Sequence, residues 1–208
     1  MSSVRDMPGV RRARGLTVLV RSFIALVAVT NLWACTMPQQ LLLSLLPDGT
    51  FLVPLQNLRG ADSSVRDRLA QLEARGDWKE TAELARTNLK KDAQSAEWWY
   101  VLGSAEARLG HWRVARDAFR DSLRIDPSEM DAWHMLSLCQ GQLGERAMAI
   151  QTLERALDVS RQSPLTFFFL GEQYRLGGET QRAAEAYREA LRLSPGFSEA
   201  KQALARLR

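Results

Sequence analysis

A 34-residue period constrains the fold of this 208-residue chain more than any other feature of its sequence. Each period has a glycine, with an aromatic or apolar residue eleven positions before it and a leucine thirteen positions after it. Because the spacing never changes, no insertion interrupts the array. The four glycines are Gly76, Gly110, Gly144 and Gly178. A constant period of this length predicts a solenoid, in which each repeat buries its apolar side against its neighbours.

Apolar residues on either side of each glycine recur every three or four positions, which predicts two amphipathic helices per period. In the period that begins at Ala96, Trp99 and Gly103 share one face of the first helix. Ala115 and Phe119 share one face of the second helix, which Pro127 ends because proline cannot continue a helix. The pattern therefore predicts an all-α chain built from helix-turn-helix repeats.

This order of an aromatic residue, Leu-Gly, a turn glycine, alanine, a second aromatic residue and proline resembles the tetratricopeptide repeat (TPR) family. The resemblance implies a right-handed α-solenoid with a C-terminal capping helix. The first repeat is degenerate, since Arg68 replaces the leucine and Thr81 replaces the alanine. The predicted TPR domain covers 62–208, with a degenerate repeat at 62–95, repeats at 96–129, 130–163 and 164–197, and a cap helix at 198–208.

Residues 1–35 have the composition of a secretory signal, with a basic head followed by a short apolar run. They end in Leu32-Trp33-Ala34-Cys35, which resembles the bacterial lipobox, so Cys35 is the predicted lipidation site. The alternative is an uncleaved anchor helix over 16–34, although Arg21 would interrupt its apolar span. Thr36 is not the aspartate that holds lipoproteins at the inner membrane. The resemblance thus implies a bacterial outer-membrane protein that faces the periplasm.

The charge of the chain is concentrated in this leader. Five of the 28 basic residues lie before Cys35, but only one of the 24 acidic residues does, so the rest of the chain is balanced. Nucleic-acid binding requires a basic surface that neutralises phosphates. The sequence therefore predicts no nucleic-acid partner.

The tether at 36–61 contains three prolines and two glycines, which exclude a long helix. Its two apolar arms, Leu41–Leu46 and Phe51–Leu55, flank the turn sequence Pro47-Asp48-Gly49. Two interpretations remain open: the arms form a loose hairpin that contacts a partner or the bilayer, or they cover the exposed end of the first repeat as an N-terminal cap.

In the TPR family the first helix of each repeat lines a concave groove, and the residue after its aromatic faces that groove. The resemblance implies a ladder of three rings, Tyr100, His134 and Phe168. The other predicted groove residues are Ser104, Arg108, Leu138, Leu165, Glu172 and Arg175. Such a groove suits a peptide or a partner protein, and it lacks the lysines and asparagines of the chaperone-tail clamp. Alternatively, the rings pack on neighbouring helices, or residues 41–55 or the C-terminal helix fill the groove.

No pattern in the sequence indicates catalysis. The chain has two histidines, His111 and His134, and neither has cysteine or carboxylate partners at the spacing of metal ligands. No glycine-rich phosphate loop is present, and Cys139 is interpreted as a small core hydrophobe. The charged residues Glu106, Arg108, Arg116 and Asp117 are interpreted as a solvated face. We therefore expect no enzyme activity, no cofactor or metal, and no small-molecule substrate.

Together these features predict a non-catalytic, lipid-anchored periplasmic adaptor for protein–protein interaction. Its architecture is similar to that of type IV pilus pilotins and tight-adherence pilus lipoproteins, which implies a place in pilus or secretion assembly. Two alternatives stay open: an apoprotein-holding subunit in cytochrome c maturation, and a scaffold for an envelope-maintenance enzyme.

The lipobox makes a direct prediction. Replacing Cys35→Ala removes the thiol that would carry the lipid, so metabolic labelling with a radioactive fatty acid should be lost while the protein is still made. Cys139→Ala is the matched control and should label normally. Continued labelling of the Cys35→Ala chain would show that the cysteine is not lipidated.

Overall fold

The computed structural model describes residues 62–207, and over this range the chain is helical, with no strand. Cys35 and the tether at 36–61 lie outside the described residues. The helices are α1 (Ser63–Arg75), α2 (Trp78–Leu89), α3 (Ala96–Arg108), α4 (Trp112–Ile125), α5 (Met130–Gln142), α6 (Arg146–Val159), α7 (Pro164–Leu176), α8 (Thr180–Leu193) and α9 (Ser198–Ala205). The all-α fold of helix-turn-helix repeats is confirmed.

The helices are arranged as successive pairs. The first helices of the repeats are α1, α3, α5 and α7, and the second helices are α2, α4, α6 and α8. Each first helix packs on the second helix of its own repeat, and α3, α5 and α7 also pack on the second helix of the preceding repeat. In addition, α3 contacts α5 and α5 contacts α7. The packing is therefore between near neighbours in sequence, as in a solenoid.

The turn inside each repeat depends on its glycine. Gly110 has a φ of 78°, and Gly76, Gly144 and Gly178 have φ between 70° and 78°. The amide of Gly110 donates to the carbonyl of Ala107, and the amide of His111 donates to the carbonyl of Glu106. These two bonds satisfy the last carbonyls of α3 in a Schellman motif. Glycine adopts this left-handed conformation without a steric penalty, so the repeated glycines fix the turn.

Side-chain caps begin three of the first helices. Ser95 Oγ accepts from the amide of Trp98 at 3.3 Å, and Ser163 Oγ accepts from the amide of Thr166 at 3.2 Å. The side chain of Asp62 likewise accepts a hydrogen bond from a backbone amide at the start of α1. Because the first amides of a helix have no partner within it, these oxygens stabilise the helix starts.

Close contact between the two helices of a repeat depends on small residues in the first helix. A Cβ added to Gly103 would lie 2.9 Å from the ring of Phe119, and one added to Gly171 would lie 2.6 Å from Cδ1 of Tyr187. Both rings are fully buried. Each aromatic ring of the second helix thus occupies the space that a side chain on the first helix would need.

The departures of the degenerate first repeat have a structural reason. Arg68 holds the position that the buried Leu102 holds in the next repeat. Its guanidinium is exposed and bonds Glu80 Oε2 at 2.9 Å. Thr81 is buried, and its hydroxyl donates to the carbonyl of Asp77 at 3.0 Å. Both polar replacements are therefore accommodated.

The C-terminal helix α9 packs on α8 through buried Ala200 and Ala203. The ring of Phe197, just before α9, lies 5.2 Å from the ring of Phe168. This helix ends at Ala205, within the predicted cap segment 198–208. Between residues 62 and 207, no helix has the length and apolar character to cross a bilayer.

Gly171→Ala should destabilise the protein by about 1–3 kcal/mol, because the new methyl overlaps a fully buried ring. This cost opposes and should exceed the gain of up to about 1 kcal/mol in helix propensity. Gly196→Ala is the control, since its Cβ would meet nothing within 4 Å. Urea denaturation followed by circular dichroism measures both variants. Equal midpoints for the two would show that Tyr187 moves aside freely.

Candidate functional site

The predicted groove residues lie on the side of the array formed by α1, α3, α5 and α7, which we call the first-helix face. The three rings of the predicted ladder are all buried, with at most 4% of their surface exposed. Tyr100 packs edge-on against Phe119 of its own repeat, with ring centroids 5.4 Å apart. Phe168 contacts Phe169, Tyr187 and Phe197. The three rings are therefore packed within the array, and their part in partner binding stays a prediction.

His134 shows how these rings are packed. Its ring stacks on Phe169 of the next repeat at 5.1 Å, and Nε2 lies 2.8 Å from Thr166 Oγ1. Burial lowers the pKa of His134 to about 4, so the imidazole is neutral at physiological pH. The residue after the aromatic thus points into the seam between α5 and α7. Through these contacts His134 connects one repeat to the next.

The residues one turn further along are also enclosed. Ser104, Leu138 and Glu172 have at most 2% of their surface exposed. Glu172 accepts a hydrogen bond from Arg175 Nη2 at 2.7 Å and a short one from the hydroxyl of Tyr187. Burial and this carboxylate raise the pKa of Tyr187. The charge of Glu172 is therefore neutralised inside the array.

The remaining predicted groove residues are more accessible. Leu165 is half-buried at the start of α7, and Arg175 keeps 33% of its side chain exposed beside Glu172. Arg108 is half-buried, and its guanidinium carbon lies 5.1 Å from the centroid of the Trp78 ring. This distance allows a cation–π interaction between α3 and the preceding repeat. These three residues border the enclosed ones.

A second buried charge contradicts the interpretation of a solvated face. Glu106 is 2% exposed and bonds the guanidinium of Arg86 and Nδ1 of His111, the latter at 2.7 Å. Gln140 and Tyr174 occupy the same position in the next two repeats and are buried too. The period itself was the signal that could have revealed this, because the position is apolar or amide-bearing elsewhere. Arg116 is also half-buried and bonds Glu145 at 2.7 Å.

The seam between α5 and α7 contains a polar residue that the sequence did not single out. Gln173 is 1% exposed, and neither polar atom of its amide has a hydrogen-bond partner. The amide lies against Gly141, where an added Cβ would be 3.0 Å from Nε2. An unpaired buried amide costs about 1–3 kcal/mol. This seam therefore contains a buried amide whose hydrogen-bonding groups are both unpaired.

Reactive groups in the described part of the chain are enclosed or dispersed. Burial raises the pKa of the Cys139 thiol to about 12, which leaves it protonated and unreactive at neutral pH. Over residues 62–207, no three His, Cys, Asp or Glu side chains are grouped as metal ligands would be.

Comparison with known proteins identifies the fold. The profile of the cilia and flagella-associated protein 70 middle TPR-like domain matches residues 67–194. The chain belongs to this family of TPR-like domains. No curated protein matches it significantly in sequence.

Solved TPR structures superpose on the chain at low sequence identity, so they bear on the fold alone. MamA is 24% identical with a TM-score of 0.61, and the match covers 67% of this chain and 81% of MamA. YrrB is 17% identical with a TM-score of 0.57, over 74% of this chain and 79% of YrrB. The first TPR domain of Spaghetti (RPAP3) is 20% identical with a TM-score of 0.51, and the match covers 56% of this chain and 92% of that domain.

His134 predicts a pH-dependent stability. The folded pKa of about 4 lies below the unfolded value of 6.5, so the unfolded chain binds a proton that the folded chain excludes. The contribution of His134 to the free energy of unfolding should be constant above pH 6.5 and fall by up to about 3 kcal/mol as the pH drops to 4. His134→Gln should lack this component.

Urea denaturation at several pH values measures the free energy of unfolding of the native and the His134→Gln chains. The difference between these two free energies is then compared across the pH range. This difference cancels other titrating groups such as Glu73, whose pKa burial raises to about 7. Parallel pH profiles for the two chains would contradict the buried, neutral state of His134.

Proposed function

We propose that this protein is a non-catalytic adaptor of the bacterial envelope, which faces the periplasm and binds a segment of a partner protein on its first-helix face. The observation that carries the proposal is the uninterrupted TPR-like array, matched by the family profile over residues 67–194. An array of this kind offers a long continuous surface. Binding is the activity that such a surface supports.

Solved structures with this fold support the same kind of activity. One is described as YrrB, a TPR protein with an unusual peptide-binding site. Another is the first TPR domain of Spaghetti (RPAP3) bound to an HSP90 peptide. Those ligands belong to those proteins. The shared fold favours a peptide segment as the ligand class for this chain as well.

The chemistry of the first-helix face favours an apolar segment over a charged tail. The predicted groove positions hold Tyr100, Ser104, His134 and Leu138, and His134 is uncharged at neutral pH. Glu172, the one carboxylate among all the predicted groove residues, is paired with Arg175. The lysines and asparagines of a carboxylate clamp are absent from the four positions named above. With half-buried Leu165 as an accessible apolar contact, we expect the partner segment to bind through apolar side chains, with polar groups at its edges setting the register.

The lipobox-like leader supports the proposed location. A lipid on Cys35 would hold the array at the outer membrane, with the tether at 36–61 as its only connection. An adaptor placed there suits the assembly of a pilus or a secretion channel, since such machines cross the periplasm and require proteins that position their subunits. The protein would then contact the membrane through this lipid.

Site-specific crosslinking tests this proposal. A photo-crosslinking amino acid at exposed Ala70 on α1 or at half-buried Leu165 on α7 should capture the same envelope protein from both ends of the first-helix face. The matched control is Met148 on α6. This residue is 52% exposed, and it belongs to a second helix, on the side of the array away from this surface. Mass spectrometry identifies the captured protein, and density-gradient separation of membranes locates the adaptor. Equal capture from Met148, or none from either face site, would contradict the proposal.

A further inference from the structure

The second helices α4 and α6 expose apolar side chains to solvent. Val114 and Met148 are 45% and 52% exposed, and Val159 is 46% exposed. These are the large hydrophobic residues that stand exposed in the part of the chain that the structure describes. Val114 and Met148 are 34 positions apart, so they hold the same place in the first turns of α4 and α6. In α2 and α8 that place is held by Glu80 and Arg182. The exposed apolar side chains are therefore confined to the two middle repeats, with charged residues on either side.

The charges of α4 and α6 are opposite in sign at two equivalent positions. Arg120 and Arg124 lie on α4, and 34 residues later Glu154 and Asp158 lie at the same levels of α6. All four residues are exposed. In α2 and α8 both levels hold basic residues. The acidic pair of α6 is thus the exception among the second helices.

These four side chains are available for a contact outside the array. Arg120 and Arg124 pair loosely with aspartates of their own helix, at 3.4 Å and 3.5 Å, and both remain largely exposed. Glu154 and Asp158 form no ion pair within the described range of the chain. Arg155, which lies between them in sequence, is directed toward its own repeat, because its guanidinium carbon lies 5.4 Å from the centroid of the tryptophan ring of α5.

We propose that the exposed side of α4 and α6, which we call the second-helix face, binds the same face of a second copy of this chain. A two-fold axis parallel to the helices keeps their direction and exchanges left for right, so α4 of each copy lies beside α6 of the other. Residues 34 positions apart then meet at the same level. Arg120 lies beside Glu154 of the other copy, and Arg124 lies beside Asp158. The exposed apolar side chains of the first turns lie at one level as well.

A second copy satisfies both properties of this face. Each contact of a two-fold interface occurs twice, so the two pairs of unlike charge become four. Exposed ion pairs contribute little individually. In this interface they set the register, and the apolar side chains supply the gain from leaving water.

The area of the face indicates a weak dimer. Each helix of 14 residues is about 20 Å long and neighbouring repeats are about 10 Å apart, which gives α4 and α6 a face of roughly 400 Å² per copy. A standard stable interface buries about 800 Å² per partner. We therefore expect association at micromolar or higher concentrations, as in a lipid-anchored protein that is crowded on a membrane.

The rival occupant is an anionic membrane surface, which the arginines of α4 alone would favour. The carboxylates of α6 lie one repeat away on the same face and would be repelled by that surface. A face whose charge changes sign between neighbouring helices matches itself better than it matches a surface of uniform charge.

This dimer goes beyond the proposed function, because it uses the side of the array opposite to the first-helix face. The partner surfaces of both copies would stay on the outside of the pair. A dimer would then bind two partner segments at once, with the gain in overall affinity that two linked sites provide.

Reciprocal charge reversal tests the dimer. Full-length chains with two different affinity tags are mixed under reducing conditions in a mild detergent, with a large excess of micelles over protein. The fraction that one tag captures with the other is measured over a range of protein concentrations. The native chain should capture its counterpart, and capture should weaken as sodium chloride is raised, because salt screens exposed charges.

An acidic variant carries Arg120→Glu and Arg124→Glu, and a basic variant carries Glu154→Lys and Asp158→Lys. Each variant alone places like charges side by side, so its self-association should be about tenfold weaker or more. A mixture of the two variants should regain native capture, because each α4 then meets an α6 of opposite sign.

A matched control carries Lys201→Glu and Arg206→Glu at exposed positions in and just after α9. This control changes the net charge as much as the acidic variant does and should capture its counterpart like the native chain. Met148→Asp removes an apolar contact and should weaken capture. Circular dichroism should be the same for all of these chains, since every substituted residue is exposed.

Four outcomes would overturn the proposal. They are an absence of self-capture by the native chain, equal weakening in the α9 control, failure of the mixed variants to regain capture, and native capture by Met148→Asp. A native chain that does not capture itself, but sediments with phosphatidylglycerol vesicles unless the two arginines are reversed, would assign the face to the membrane.

These assays require no envelope partner and leave the first-helix face unchanged, so their failure is distinct from a failure of the proposed function. The two ideas also separate in the crosslinking experiment. A photo-crosslinking amino acid at Met148 should join two copies of this chain, a product whose mass differs from that of a complex with an envelope protein.

Discussion

The fold depends on the close approach of the two helices within each repeat. At Gly171 the ring of Tyr187 lies where a methyl group would be, and Gly103 and Phe119 repeat this arrangement two repeats earlier. Because the ring occupies the space of the missing side chain, the two helices of the repeat pack closely. The positive-φ glycines then set the same turn in every repeat. The regularity of the array follows from these two uses of glycine.

The period in the sequence was sufficient to predict the helices, their turns and the order in which they pack, because all of these depend on neighbours at a fixed spacing. It was insufficient for the candidate site. Spacing places Tyr100, His134 and Phe168 at equivalent positions, but it does not say what lies against them. Their burial depends on contacts such as Phe169 on His134 and Phe197 on Phe168, whose partners come from the following repeat or from the segment before α9.

The buried carboxylates show the same limitation. Glu106 and Glu172 lie on first helices among apolar neighbours, and an isolated buried charge would be costly. Each is compensated by partners from another helix, Arg86 of α2 for Glu106 and Tyr187 of α8 for Glu172. These partners are 20 and 15 positions away in sequence, so no local pattern indicates the pairing. Such bonds join particular helices in one register, which apolar packing alone specifies less strictly.

The exposed Arg68 has a consequence for association between molecules. A solenoid whose two ends were both apolar would stack end to end with other copies, and a head-to-tail contact that does not close into a ring grows into a filament. At the position that buried Leu102 and Leu136 hold in the next two repeats, α1 presents a solvated guanidinium held by Glu80. Stacking a second array on this side chain would strip water from that charge. Arg68 therefore disfavours the stacking of another copy on this part of α1.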